Sequence, residues 1–120
     1  GDHPITVVHA DIRTWEPERQ FDAWHDRATF HFLTDDHDVE RYVSLVRGSL
    51  RPGGVAILGT FAPDGPDTCS GLPVRRWDVS DFEQHFRSAG GLVHHESEEH
   101  TTPGGSVQSF NWFVVRRSPD

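Results

Sequence analysis

Several residue types are scarce or missing in this chain of 120 residues. Lysine and methionine are absent, and cysteine occurs once, at position 69. A single cysteine excludes an internal disulfide and predicts a reducing, cytoplasmic environment. No run of eighteen apolar residues occurs, so the sequence predicts no membrane span.

Basic residues are also scarce: the chain has 11 basic and 19 acidic residues, and its formal net charge is −8. Nucleic-acid backbones are bound by a basic face, and the arginine pairs Arg75-Arg76 and Arg116-Arg117 are too small to form one. We therefore predict a small-molecule partner and no nucleic-acid partner. The length fits one domain over 1–120. Because the chain starts at Gly1 without a methionine or an apolar leader, we expect an interior boundary of a larger chain, or a tag remnant.

The stretch from Phe21 to Phe61 contains most of the structural signal. A short apolar run, Phe21–Trp24, predicts a strand and is followed by the polar triplet His25-Asp26-Arg27. A helix up to about Leu50 is predicted from apolar residues at helical spacing, namely Val39, Tyr42, Val43, Val46 and Leu50. After a Pro-Gly-Gly turn, Val55–Phe61 is apolar at almost every position, which is typical of a parallel strand buried on both faces. The pattern is thus strand, right-handed crossover helix, strand.

The flanking segments complete an α/β pattern. Ile5–Val8 is a β-branched run and predicts a buried strand. Ala62–Pro73 is rich in proline and glycine and predicts a long, ligand-binding loop. Ser80–Glu83 matches a capping box and predicts the start of a second helix. Leu92–His100 and Val107–Arg116 predict an antiparallel hairpin.

The run FDAWHDRATFHFL, the helix, LRPGG and the apolar strand together resemble the middle of a class I S-adenosylmethionine-dependent methyltransferase. The resemblance implies an α/β fold with a partial Rossmann-like methyltransferase sheet, mostly parallel strands and a C-terminal antiparallel hairpin. Phe21–His25 matches the fourth strand of that fold and Val55–Phe61 the fifth. The match covers only the C-terminal portion of the methyltransferase domain.

The resemblance also implies the cofactor, S-adenosylmethionine, and residues that bind it. Asp11 follows the first predicted strand, where the family has an acidic residue that accepts a hydrogen bond from the adenine amino group. A solvated turn or a helix cap is the alternative role of Asp11. Ile12 would flank the adenine, and Trp24 and His25 complete the predicted cofactor contacts.

The same resemblance places the catalytic candidates after the second predicted strand. His25, Asp26 and Arg27 would line the methionine end of the cofactor and the substrate. The sequence does not identify the general base, for which His25 and His31 are the candidates. Adjacent strand residues point to opposite faces, so a direct pair between His25 and Asp26 is not expected. The alternatives are that Asp26 and Arg27 tie the loop down by hydrogen bonds and that His31 is a packing residue.

The glycine-rich loop of GxGxG type that cradles the cofactor in this family is missing from the chain. The acidic residue that holds the ribose is missing as well. We expect either a fragment of a longer enzyme or a truncated relative, and we expect the isolated chain to be inactive.

The competing hypothesis is a truncated, non-enzymatic α/β module that binds a partner chain or, through its His-rich strand, a metal. An unpaired strand at a sheet edge, such as Ile5–Val8, would favour pairing with a partner chain or a second copy. The histidines His94, His95 and His100 lie among glutamates and are the best metal candidates. Their side chains alternate between faces, however, so no metal site is predicted, and Cys69 is interpreted as a packing or substrate-contact residue.

Overall fold

The computed structural model of the chain describes residues 20–27, 30–69 and 71–118. The elements are β1 (Phe21–Arg27), α1 (Asp36–Ser49), β2 (Leu50–Phe61), β3 (Thr68–Cys69), β4 (Leu72–Pro73), α2 (Val79–Phe86), β5 (Gly91–Thr101) and β6 (Val107–Arg116). Neither described helix is long and apolar enough to cross a membrane. The predicted strand Ile5–Val8 and the predicted cofactor residues Asp11 and Ile12 lie outside the described residues.

Four of the strands form one sheet in the order β1-β2-β6-β5. β1 and β2 run parallel, with Ala23 beside Val55 and Arg27 beside Gly59. β6, the last strand in the sequence, lies antiparallel between β2 and β5. The predicted α/β class, with a C-terminal antiparallel hairpin beside a parallel strand pair, is therefore confirmed.

α1 begins directly after its N-cap residue, Asp35. Asp35 has an extended backbone, and its carboxylate accepts a hydrogen bond from the backbone N–H of Asp38 at 3.0 Å. Such a side chain satisfies one of the free N–H groups of the first turn. The helix ends at Ser49, and β2 starts at the next residue rather than at the predicted Val55. The Arg-Pro-Gly-Gly segment, residues 51–54, is part of β2, and Gly53 N donates a hydrogen bond to Arg117 O at 3.0 Å.

The predicted capping box of the second helix is wrong. The N-cap is Asp78, whose carboxylate accepts a hydrogen bond from Asp81 N at 2.7 Å, and Ser80 lies inside the first turn. Asp78 takes this position because its backbone is extended while that of Val79 is already helical.

Both helices pack on one face of the sheet, which carries most of the core. The sheet contributes alternate residues, Ala56, Leu58, Phe113 and Val115. On the other face Val55 and Ile57 are half-buried, whereas β2 is fully buried from Leu58 to Phe61. The predicted burial on both faces thus holds for the second half of the strand. There Trp112 lies against Gly59, since a Cβ on Gly59 would come within 2.7 Å of the Trp112 ring.

Candidate functional site

A buried polar network follows the carboxyl end of β1. Asp26 is only 7% exposed, and its Oδ2 accepts hydrogen bonds from Phe30 N, at 3.0 Å, and from the Tyr42 hydroxyl. The Tyr42 oxygen in turn accepts a hydrogen bond from Trp24 Nε1 at 3.0 Å. Burial, with the charge of Asp26 adding to it, raises the pKa of Tyr42 well above its usual value. The phenol therefore stays protonated and donates to Asp26.

This network fixes the turn between β1 and α1. Asp26 Oδ2 accepts one hydrogen bond from the backbone N–H of Phe30, four residues ahead, and another from the hydroxyl of Tyr42, in the middle of α1. The interpretation that Asp26 ties the loop down is confirmed. The catalytic role of Asp26 and the cofactor contact of Trp24 stay predictions, and both side chains make these contacts on the helix-packed side.

His25 and Arg27 are exposed on the opposite side of β1 from Asp26. The Arg27 guanidinium lies over two rings, 5.7 Å from the centre of Phe110 and 5.9 Å from that of Trp112. The His25 ring is 6.1 Å from the Trp112 ring. As expected, His25 and Asp26 do not pair, and the structure brings His25 and Arg27 together instead.

His31 is fully buried between the rings of Phe32 and Phe61, with ring-centre distances of 4.9 and 4.6 Å. Phe61 N donates to His31 Nδ1 at 3.2 Å, so the ring proton belongs on Nε2, which has no hydrogen-bond partner among the described residues. Burial lowers the His31 pKa from 6.5 to about 4. At neutral pH His31 is a neutral ring whose basic nitrogen is occupied, which favours packing over general-base action.

The segment after β2, formed by residues 62–69 and 71–78, is folded rather than irregular. We call it the β2–α2 connection. It contains the small β3–β4 hairpin, and Val74 N donates to Asp67 O at 3.0 Å. Arg76 donates to Pro63 O and Gly65 O at 3.1 and 3.3 Å, which ties the end of the connection to its start. Because it leaves the carboxyl end of β2, it borders the side of the sheet where α/β proteins bind ligands.

Cys69 and the histidines of β5 make contacts with neighbouring side chains. Cys69 is half-buried and packs against the cluster of Phe61, Val74 and Phe110, in line with a packing role. His94 lies 3.0 Å from Glu96, whereas His95 bonds Asn111 at 2.9 Å. Among the described residues, no three His, Cys, Asp or Glu side chains are placed to hold a metal ion.

Sequence reasoning missed two contributors to this region, Tyr42 and Arg75. Tyr42 was predicted only as part of the apolar stripe of α1. A tyrosine in such a stripe buries a hydroxyl that needs a partner, and this was the available signal. Arg75 pairs with Asp36 and Asp81, and nothing in its local sequence beyond the neighbouring Arg76 predicts these contacts.

His31 predicts a pH dependence of stability. The unfolded chain binds the His31 proton near pH 6.5 and the folded chain only near pH 4, so stability is lost as the pH falls between these values. At about 1.36 kcal/mol per pH unit, the loss from this residue reaches about 3 kcal/mol. Urea unfolding at several pH values should show it in the wild type and much less in His31→Gln. His37→Gln, at an exposed position of α1, is the control, and an unchanged pH slope in His31→Gln would contradict the interpretation.

No protein-family model matches the chain, and no curated protein matches it in sequence. Solved structures do match. An S-adenosylmethionine-dependent methyltransferase from Methanosarcina mazei superimposes with a TM-score of 0.76 at 10% identity, over 92% of this chain and 66% of that one. The 1,6-didemethyltoxoflavin-N1-methyltransferase of Burkholderia thailandensis, with bound 1,6-didemethyltoxoflavin and S-adenosylhomocysteine, gives 0.69 at 20% identity, over 92% and 50%.

The N-methyltransferase NodS of Bradyrhizobium japonicum, in complex with S-adenosylhomocysteine, gives a TM-score of 0.65 at 15% identity, over 90% of this chain and 52% of that one. At such identities the similarity is one of fold. The chain spans between half and two thirds of the length of these three structures.

Proposed function

We propose, from the class I S-adenosylmethionine-dependent methyltransferase fold of this chain, that it forms the C-terminal part of an enzyme that methylates a small molecule. The strand order β1-β2-β6-β5, with the last strand inserted antiparallel, carries the proposal. Two of the matching structures hold S-adenosylhomocysteine, and one of them also holds 1,6-didemethyltoxoflavin. The net charge of −8 favours a small molecule over a nucleic acid as the methyl acceptor.

The described residues offer suitable groups for the cofactor and the acceptor. Ligands of open α/β sheets bind outside the carboxyl ends of the strands, where Arg27 ends β1. The described contacts of its guanidinium are with aromatic rings, so its N–H donors fit a carboxylate such as that of the methionine moiety. When bound, S-adenosylmethionine would supply a sulfonium methyl group, whose carbon the acceptor's nucleophile attacks in line while the carbon–sulfur bond breaks and S-adenosylhomocysteine leaves.

The side chains of this chain then position the reactants and move a proton. His25 is exposed beside Arg27, and it is the better general base because Nδ1 of His31 is engaged and its ring is buried. Asp26 acts as a positioning residue, since its hydrogen bonds to Phe30 N and the Tyr42 hydroxyl hold the end of β1, where His25 and Arg27 lie on the opposite face. Orientation of this kind is the main contribution an enzyme makes to such a displacement.

The proposal includes a further segment that supplies the glycine-rich cofactor loop, because no such motif occurs in these 120 residues. We also propose a cytoplasmic location, which the single cysteine favours. Self-association through a sheet edge is a further part of the proposal.

The test is formation of S-adenosylhomocysteine by these residues joined to a preceding segment with a glycine-rich cofactor loop. The assay supplies S-adenosylmethionine and a panel of amines, phenols and thiols. His25→Ala should lower kcat/KM for the best acceptor about a hundredfold, as expected for loss of a general base. His37→Ala, at an exposed position of α1, should not change it. No product with any acceptor would reject the function, and full activity of His25→Ala would remove His25 from the site.

A further inference from the structure

Arg75, in the β2–α2 connection, joins the two helices. Its Nη1 lies 2.7 Å from Asp36 Oδ1 in the first turn of α1, and its Nη2 lies 3.4 Å from Asp81 Oδ2 in the first turn of α2. The guanidinium also stacks over Trp77 at 4.2 Å. A planar fork can hold two carboxylates on two elements at once, which the single ammonium of a lysine does less well.

The backbone of Arg75 makes a third link. Its N–H donates to the carbonyl of His31 at 2.7 Å, in the turn between β1 and α1. Next to it, Trp77 N donates to Phe61 O at 3.0 Å. One residue of the connection is thus bonded to the segment after β1 and to the start of each helix.

The surrounding charges favour this arrangement. The hydrogen bond from Arg75 and its positive charge lower the pKa of Asp36, so that carboxylate is ionised at neutral pH. His85, the other titratable group at this junction, places Nδ1 3.3 Å from Asp81 Oδ1 and Nε2 3.8 Å from Asp36 Oδ1. The Arg75 side chain is about one fifth exposed, at 21%. Asp36 is 75% exposed and Asp81 36%, so only the arginine side of these pairs is shielded. The two pairs share one guanidinium, however, and do not form an isolated surface pair, which would contribute little.

We propose that Arg75 is a positioning residue that holds the β2–α2 connection at the carboxyl ends of β1 and β2, and thereby sets the affinity for the methyl acceptor rather than the rate of transfer. The inference rests on the proposed function, because that function places the acceptor at this edge of the sheet. Without the Arg75 side chain the connection keeps its internal bonds from Arg76 and the buried Trp77, but loses the two ion pairs that link residue 75 to the first turns of both helices. It then opens more often, and bound acceptor is released more readily.

Hydrogen exchange on the 120-residue chain tests the structural part of the proposal. In Arg75→Gln the amides of residue 75 and Trp77, which donate to His31 O and Phe61 O, should exchange about tenfold faster, while the interior of α1 and β6 keeps its protection. Arg75→Lys should give an intermediate effect. Arg51→Gln is the matched control, since Arg51 forms an exposed pair with Asp22 at 3.2 Å, away from the connection.

Unchanged exchange in the connection of Arg75→Gln would overturn the proposal. An equal increase across helices and sheet would overturn it too, since that is general destabilisation. In the methyl-transfer assay above, Arg75→Gln should raise KM for the acceptor about tenfold with kcat little changed, and a loss confined to kcat would contradict it. Exchange does not require activity, so failure of the proposed function and failure of the Arg75 proposal are distinguishable.

Discussion

Asp26→Ala is expected to lower the free energy of unfolding by about 3 kcal/mol, because it leaves two buried donors without their acceptor. These donors are the backbone N–H of Phe30 and the hydroxyl of Tyr42. Each unsatisfied buried group costs about 1–3 kcal/mol. Tyr42 is 1% exposed and Phe30 is fully buried, so water cannot replace Asp26 without opening the core.

Urea unfolding followed by circular dichroism measures this change. Asp26→Asn keeps one acceptor oxygen and should cost less than Asp26→Ala. Asp22→Ala is the matched control on the same strand, since its exposed pair with Arg51 should contribute less than about 1 kcal/mol. A loss for Asp26→Ala no larger than that for Asp22→Ala would show that the network does not hold the turn.

Local signals were sufficient for most of the described elements. The apolar spacing of α1 predicted the helix and its end near Leu50. Its start was not fixed by the sequence, because Thr34, Asp35 and Asp36 are all of N-cap type, and the extended backbone of Asp35 selects that residue. At α2 two overlapping patterns compete, one starting at Asp78 and one at Ser80. Either side chain can reach the N–H three residues ahead, and the backbone decides between them.

Contacts between distant residues were not predictable in the same way. Asp26 and Tyr42 are 16 positions apart and meet only when α1 crosses back over the sheet. Arg75 and Asp36 are 39 positions apart and meet only after α1, β2 and the connection are in place. The alternation of strand side chains, in contrast, correctly separated His25 from Asp26. For His31, a general-base role was predicted from the resemblance and packing was the alternative; the burial of the ring favours the alternative, and the catalytic role stays a prediction.

The isolated 120-residue chain should bind S-adenosylmethionine about a thousandfold more weakly than a complete methyltransferase site. It has no glycine-rich loop whose backbone amides contact the cofactor, and no ribose-binding carboxylate was found in its sequence. Hydrogen bonds of these kinds contribute roughly 0.5–3 kcal/mol each. Losing about 4 kcal/mol in total turns a micromolar dissociation constant into a millimolar one. Arg27 and His25 remain to attract the methionine end, so weak binding should persist at that place.

Titration of the isotope-labelled chain with S-adenosylhomocysteine, followed by NMR, tests most directly whether this chain carries part of a methyltransferase site. Amide shifts are predicted at the carboxyl end of β1, around Arg27, and at the start of the β2–α2 connection, around Ala62. They should move in fast exchange with a dissociation constant of about a millimolar or weaker. Saturation at low micromolar ligand would contradict the expected absence of the cofactor cradle. Shifts centred instead on the opposite ends of the strands, around Arg51, would contradict the methyltransferase site itself.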